Sequence, residues 1–142
     1  MTQINDPFLH SLIARLNQPG VIGLALVGSY SRDAQTQYSD VDVEIFVEEL
    51  PEEPYTLRFL DGKLVSLKSI CLRDEFSSLT KPEEAVWAVP GLRRMKILLD
   101  ERGELDRLKQ AALDFKWEAL QPGADEYAAE ELMGYAPKKR TN

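Results

Sequence analysis

Residues 27–47 read VGSYSRDAQTQYSDVDVEIFV, a stretch in which three features depend on one another. A Gly-Ser pair is followed by ten spacer residues, 30–39, and then by Asp-Val-Asp. Residues two apart on a strand point to the same face, so Asp40 and Asp42 would have their Cα atoms roughly 6.6 Å apart. Hard cations such as Mg²⁺ prefer carboxylate and phosphate oxygens, and one ion or a pair could bind between these side chains. The spacing favours a metal site over the alternative, a solvated strand edge.

Gly28 and Ser29 stand where a phosphate-binding loop is expected. Residues 21–27 (VIGLALV) are a continuous apolar run, typical of a strand buried on both faces. Backbone N–H groups and a serine hydroxyl after such a strand can bind phosphate, and glycine allows a triphosphate to approach the backbone closely. Arg32 could contact the nucleotide or could be an ordinary surface arginine. Taken alone, the Gly-Ser pair is also compatible with a turn that ends in a helix-capping serine.

The rest of the chain predicts alternating strands and helices. Apolar residues at helical spacing predict helices at residues 5–17, 74–79, 83–88, 104–117 and 125–135. Apolar runs and alternations predict strands at 21–27, 41–47, 55–60, 63–70 and 95–99, with a hairpin turn at Asp61-Gly62 and a chain break at Pro90-Gly91. This order of elements predicts an α/β (α+β) fold, a small mixed β-sheet flanked by helices.

The composition disfavours several classes of protein. The 142 residues include 17 Lys and Arg against 24 Asp and Glu, and a net charge of −7 disfavours duplex nucleic acid and anionic membranes as partners. Cys71 is the single cysteine and His10 the single histidine, so an internal disulfide and a zinc cluster of His and Cys are both excluded. No apolar run approaches the ~20 residues of a membrane span, and the N-terminus lacks the pattern of a signal peptide. We therefore expect a reduced, cytoplasmic protein with no membrane partner.

The Gly-Ser pair, the ten-residue spacer and the Asp-Val-Asp sequence together resemble the signature of the DNA polymerase β-like nucleotidyltransferase superfamily. Within it, the chain is most similar to the minimal and aminoglycoside-type nucleotidyltransferases. The motif resemblance covers residues 21–47, and the order of elements up to residue 115 is compatible with the polymerase β-like fold. It implies a nucleotidyltransferase catalytic domain at residues 1–120, followed at 121–142 by a linker and the start of a C-terminal helical segment.

The resemblance also implies an activity and roles for individual residues. The activity is transfer of a nucleoside monophosphate, AMP from ATP, to an unidentified acceptor, with Mg²⁺-dependent release of pyrophosphate. Gly28 and Ser29, with Arg32 beside them, would bind the nucleoside triphosphate. Asp40 and Asp42 would hold Mg²⁺, which we expect to bind as two ions.

The chain departs from the family pattern at one position. The family usually supplies a third carboxylate from a later strand, between two hydrophobic residues, as a metal ligand or general base. The matching strand here has Ser66 at that position, and a serine neither accepts a proton nor binds a hard cation as a carboxylate does. Glu44 shares a strand face with Asp40 and Asp42 and is the first candidate to replace the missing acid, with Asp61 second.

Two interpretations of function therefore remain open. The first is an active nucleotidyltransferase, with Asp40, Asp42 and Glu44 as its catalytic residues. The second is a catalytically degenerate domain of the same fold, which binds nucleotide or serves as an interaction partner, for example as an antitoxin. Apolar residues at helical spacing within 125–135 also predict a homodimer or a protein partner.

Overall fold

The computed structural model describes residues 6–28 and 40–120. Its helices are α1 (Pro7–Leu16), α2 (Leu72–Ser78), α3 (Pro82–Arg94) and α4 (Glu104–Leu113), followed by a 3-10 turn at Trp117–Leu120. Its strands are β1 (Val21–Val27), β2 (Val41–Val47), β3 (Tyr55–Leu60), β4 (Lys63–Cys71) and β5 (Lys96–Leu99). These elements confirm the predicted fold class. Among the described residues, no helix has the length and apolar character that crossing a membrane requires.

The five strands form one mixed sheet in the order β3-β4-β2-β1-β5. Strand β1 is antiparallel to β2 and β5, β3 is antiparallel to β4, and β2 and β4 are parallel. Because β1 and β2 run in opposite directions, the end of β1 lies beside the start of β2. Because β4 runs parallel to β2, the start of β4 lies at that same end of the sheet. Gly28 at the end of β1, Asp40 and Asp42 at the start of β2, and Ser66 near the start of β4 therefore lie at the same end of the sheet.

The core lies on both faces of the sheet, because the strands bury side chains in both directions. On one face, α1 buries Leu9 and Leu12 against residues of three strands: Leu24, Leu26, Val41, Val43, Val65 and Leu67. On the other face, α2, α3 and α4 bury a second cluster: Ile22, Ala25, Phe46, Leu72, Leu92, Met95, Leu105, Leu108 and Ala112. Burying a large apolar side chain contributes about 1.5–3 kcal/mol, so these two clusters fix the orientation of every strand.

The alternation of β2 separates its apolar residues from its acidic residues. Val41 and Val43 belong to the core under α1, which directs Asp42 and Glu44 to the opposite face. Phe46 lies on that opposite face and is fully buried under the helices. Asp42 is only half-buried, so the helical cover ends along β2 before it reaches this aspartate. The uncovered end of the sheet is therefore the end that carries the acidic residues.

The hairpin turn at Asp61-Gly62 is confirmed. Asp61 has φ 51° and Gly62 has φ 82°, so both central residues are left-handed, as in a type I′ turn. Aspartate tolerates this conformation better than most residues and glycine adopts it without strain.

The predicted chain break at Pro90-Gly91 is wrong, since α3 continues through both residues to Arg94. Ala85, Val89 and Leu92 recur at helical spacing and are buried. Pro90 removes one N–H from the helix, but the carbonyl that loses its donor belongs to Val86, which is 50% exposed and accessible to water. Burial of the apolar stripe therefore outweighs the lost hydrogen bond.

The helix predicted at residues 104–117 is shorter than expected, because α4 ends at Leu113 rather than near Trp117. The Arg93 side chain donates hydrogen bonds to the carbonyl oxygens of Ala112 (2.7 Å) and Phe115 (3.1 Å). Carbonyls at the end of a helix have no partner within it, and an arginine from a neighbouring helix satisfies them here. The helix boundary thus depends on a tertiary contact.

Candidate active site

The end of β1 lies against the first turn of β2, and this contact is very close. The register pairs Val27 with Asp42, which brings Gly28 beside the Asp42 carboxylate. Gly28 has φ 70°, and a Cβ atom at this position would lie 2.5 Å from Oδ2 of Asp42. Any side chain at residue 28 would displace this carboxylate, so glycine is required both for its backbone conformation and for space. The backbone that the sequence predicts to bind phosphate therefore adjoins a predicted metal ligand.

Asp40 and Asp42 form a charged pair at the start of β2. Partial burial raises the pKa of the Asp42 carboxyl group, and the negative charge of Asp40 raises it further. Asp40 itself is exposed. A cation bound between the two carboxylates would remove their mutual repulsion and favour the ionised form of both.

The described residues provide only part of a metal-binding site. Within residues 6–28 and 40–120, no group of three or more His, Cys, Asp or Glu side chains is placed to hold a metal ion. Mg²⁺ commonly binds proteins through one or two carboxylates and takes its other ligands from substrate phosphates and water. The aspartate pair therefore fits a Mg²⁺ ion that arrives with a nucleotide, and does not by itself form a closed metal site.

Ser66 lies directly beside Asp42. The parallel register of β2 and β4 pairs these two residues, so their side chains share one face of the sheet. The Ser66 hydroxyl donates a long hydrogen bond of 3.4 Å to the hydroxyl oxygen of Tyr55, on the far side from Asp42. The strand position next to Asp42 thus carries the Ser66 hydroxyl, which is hydrogen-bonded to Tyr55, and not a carboxylate.

Glu44 is the most strongly perturbed acid of the described residues. It lies two residues beyond Asp42 on the same face of β2, and the register places Lys68 of β4 beside it. The pKa of Glu44 is raised to about 7, mainly by burial and further by the negative charges of Glu75 and Asp42, while the positive charge of Lys68 partly offsets this rise. Glu44 can therefore release and accept a proton near neutral pH.

Glu44 and its charged neighbours line a cavity of about 480 Å³ between the sheet and helices α2 and α3. Lys68 and Glu75 border it, and burial is the main cause that raises the pKa of Glu75. Trp87 of α3 also lines the cavity and is 83% exposed. The sequence analysis did not single out Lys68, Glu75 or Trp87. For Lys68 the alternation of β4 was the only available signal, and it could not reveal which strand would pair with β4. Glu75 and Trp87 lie on helices, and their places at the cavity depend on how α2 and α3 pack.

Asp61, the second candidate for the missing acid, is not brought to this cavity. Asp61 lies at the tip of the β3–β4 turn and forms an exposed ion pair of 3.8 Å with Arg15 of α1, on the opposite face of the sheet. Ser29 and Arg32 lie outside the described residues, as does the predicted helix at 125–135. Their predicted roles therefore stay predictions.

Comparison with known proteins identifies the family to which the chain belongs. The nucleotidyltransferase domain family matches residues 10–117. A nucleotidyltransferase-like protein from Exiguobacterium sibiricum 255-15 has a similar structure, with a TM-score of 0.51 and 20% sequence identity. The similarity covers 77% of this chain but only 38% of that longer protein. At this identity the likeness concerns the fold alone.

A second similar structure is that of a toxin-antitoxin with AMP-PNP. It is 17% identical, covers 90% of this chain and 98% of the other, and has a TM-score of 0.48, too low to carry an argument. None of the curated proteins matches the chain significantly. The match to the family over residues 10–117 covers most of the chain and includes Gly28, Asp40, Asp42 and Ser66. The chain therefore belongs to the nucleotidyltransferase domain family, in the DNA polymerase β-like superfamily.

Proposed function

We propose that the protein transfers AMP from ATP to an acceptor group and releases pyrophosphate. The acceptor oxygen or nitrogen forms a bond to the α-phosphorus, the bond from that phosphorus to the bridging oxygen of pyrophosphate breaks, and the acceptor proton passes to a base. The observation that carries this proposal is the close approach of Gly28 to the Asp42 carboxylate. A bound triphosphate and a bound cation would share that narrow space. The single cysteine, buried and free, supports a cytoplasmic location.

Each residue at this end of the sheet has a proposed role. The backbone of Gly28, with Ser29 and Arg32 from the following loop, binds the triphosphate. Asp40 and Asp42 hold Mg²⁺, as two ions, together with phosphate oxygens. When bound, Mg²⁺ neutralises the charge that builds up on the phosphate and leaving-group oxygens. The repulsion between the two aspartates makes nucleotide binding depend on the cation.

Glu44 is the proposed proton acceptor. Apart from the proposed metal ligand Asp40, it is the carboxylate nearest to Asp42 along this face of β2, at roughly 6.6 Å between Cα atoms. It also borders a cavity large enough for part of an acceptor. Ser66 lies closer to Asp42 but its hydroxyl cannot take up a proton at neutral pH. Glu44 therefore acts directly on the acceptor or through one water molecule.

A second candidate function is favoured by Ser66 itself. Ser66 places a hydroxyl beside Asp42 in place of an acid. In this candidate function the domain binds ATP without turnover and serves as a nucleotide-dependent interaction domain, for example as an antitoxin. The two candidates differ in one measurable property. Both bind ATP, but only the enzyme releases pyrophosphate.

The test measures ATP binding and pyrophosphate release on the same preparations. Wild type is compared with Asp42→Asn and with Glu52→Gln, which removes the same charge from an exposed loop. We expect Mg²⁺-dependent binding and release for wild type and Glu52→Gln, and neither for Asp42→Asn. The release assay is repeated with each nucleoside triphosphate and with a range of alcohols and amines as acceptors. If the protein binds nucleotide but releases no pyrophosphate under any of these conditions, the second candidate function is established. Absence of binding would reject both.

A further inference from the structure

Strand β3 forms one edge of the sheet and carries an exposed apolar stripe. Among the described residues no strand lies on its outer side. Tyr55, Leu57 and Phe59 alternate along it and point to the same face, with exposed fractions of 57%, 55% and 76%. Exposed edge strands with apolar side chains are pairing sites unless something protects them.

Within the described residues, β3 lacks several features that usually protect an edge strand. Its register with β4 runs from Tyr55↔Lys68 to Leu60↔Lys63 without a bulge. Its six residues include no proline or lysine, and Arg58 is its only charged residue. The other edge strand, β5, has four residues, and none of them is fully exposed. Of the two edges in the described sheet, β3 is therefore the one able to accept another strand.

The sequence of β3 favours a second copy of itself as the added strand. The stripe reads aromatic, leucine, aromatic, and is therefore nearly symmetric about Leu57. A two-fold axis perpendicular to the sheet and midway between two neighbouring β3 strands would pair Leu57 with Leu57 of the second copy. Tyr55 would then face Phe59, and Thr56 would face Arg58. Cross-strand aromatic pairs stabilise such ladders, and no like charges meet within the strand.

We propose that two copies of the protein associate by antiparallel pairing of their β3 strands, in register about Leu57. The pairing joins the two sheets into one of ten strands, with both candidate active sites on the same face. Five strand spacings of ~4.8 Å separate the two Asp42 residues laterally, about 24 Å in all. The proposal does not depend on the proposed activity, because β3 itself contains none of the proposed catalytic residues.

The available surface sets the expected strength of the dimer. A fully exposed aromatic side chain offers ~150–250 Å², so the exposed fractions of Tyr55 and Phe59 leave roughly 250 Å² of ring surface per copy. Leu57 and the strand backbone add to this, but the total stays below the ~800 Å² per partner of a standard interface. At the ends of the strand, Glu53 would face Asp61, which Arg15 already neutralises in part. We therefore expect a concentration-dependent dimer with a dissociation constant in the micromolar range.

Sedimentation equilibrium of the full chain tests the association. Wild type should be a dimer at high micromolar concentration and dissociate on dilution. Leu57→Lys places two like charges opposite each other at the two-fold axis, and should weaken the dimer at least tenfold. Trp87→Lys is the matched control, since it removes an even more exposed aromatic residue from α3 and should leave the dimer intact. A monomeric wild type at high micromolar concentration, or a dimer that only Trp87→Lys disrupts, would overturn the proposal.

Disulfide trapping tests the register and does not depend on how Leu57→Lys folds. A disulfide requires Cα atoms within about 4.4–6.8 Å, which only residue 57 meets with its own copy. Leu57→Cys should therefore form a covalent dimer under mild oxidation. Phe59→Cys is more exposed but would lie about 13 Å from its own copy along the strands, so it should stay unlinked. Equal linking of both variants, or none of Leu57→Cys, contradicts the proposed register.

Discussion

Replacing Glu44 with glutamine should stabilise the protein above neutral pH and change how its stability depends on pH. In the folded protein Glu44 titrates with a pKa of about 7, whereas the ordinary pKa of a glutamate carboxyl group is 4.5. The folded state therefore keeps the proton that the unfolded chain releases, and stability falls as the pH rises through the window from about 4.5 to 7. A shift of this size at 1.36 kcal/mol per pKa unit corresponds to about 3 kcal/mol, as an upper value.

Urea unfolding at several pH values measures this effect. The difference in unfolding free energy between Glu44→Gln and wild type should grow by about 2–3 kcal/mol between about pH 4.5 and about pH 8. Glu52→Gln removes the same net charge from an exposed loop and should show a nearly constant difference from wild type. If Glu44→Gln also keeps a constant difference across this range, then the carboxyl group is not held neutral by burial, and its assignment as the proton acceptor loses its physical basis.

Three further substitutions test the site and the fold. Gly28→Ala should reduce Mg²⁺-dependent ATP binding at least tenfold, because its Cβ would displace the Asp42 carboxylate. Gly20→Ala is the control: its backbone also has a positive φ, of 92°, but an added Cβ would have no atom within 4 Å, so this variant should bind ATP normally. Equal binding by the two variants in calorimetry would contradict the proposed role of Gly28. Ser66→Asp restores a third carboxylate and should speed pyrophosphate release by up to about 10²–10⁴-fold if the missing base limits the native rate. A slower variant would mean that another carboxylate is the base, and Glu44→Gln would then test whether it is Glu44. Asp100→Ala should lower the unfolding free energy by about 1 kcal/mol, since the Asp100 carboxylate accepts hydrogen bonds of 3.0 and 2.9 Å from two N–H groups at the start of α4; an unchanged urea midpoint would show that these bonds contribute nothing.

Local chemistry explains which parts of the fold could be predicted. The Asp61-Gly62 turn was predictable because few residues adopt two consecutive left-handed conformations, and the observed φ angles agree. The alternation of valine and acid in β2 likewise indicated which residues turn away from the α1 core. In both cases the signal lies within a few neighbouring residues.

The errors arose where distant residues decide the outcome. Pro90 lies inside α3 because Val89 and Leu92 on either side of it are buried. Leu92 packs in the cluster between the sheet and the helices, and that tertiary contact cannot be read from the local sequence. The end of α4 depends on Arg93, which is 19 residues from the carbonyl of Ala112 that it binds. The sequence does contain the helical spacing of Ala85, Val89 and Leu92, but it does not show that burial of this stripe carries the helix through Pro90. The contact of Arg93 with the end of α4 has no periodic signal.

The sequence suggested which residues could share a site, but it did not indicate which side chains would surround each of them. The spacing of Gly28, Asp40 and Asp42 suggested a shared site, and the β1–β2 register brings Gly28 against Asp42. The neighbours of Glu44 could not be predicted, because they depend on the parallel pairing of β2 with β4 and on the position of α2. The shift of its pKa follows from those tertiary contacts.

The central claim, that a nucleoside triphosphate and Mg²⁺ bind together at the start of β2, is tested most directly by titration calorimetry with ATP. Wild type should bind ATP with Mg²⁺ and much more weakly with a chelator, because the uncompensated charges of Asp40 and Asp42 repel the phosphates. The double variant Asp40→Asn, Asp42→Asn should retain its fold and lose the dependence on Mg²⁺. If the double variant binds ATP with wild-type affinity and the same response to Mg²⁺, the site has been assigned to the wrong residues.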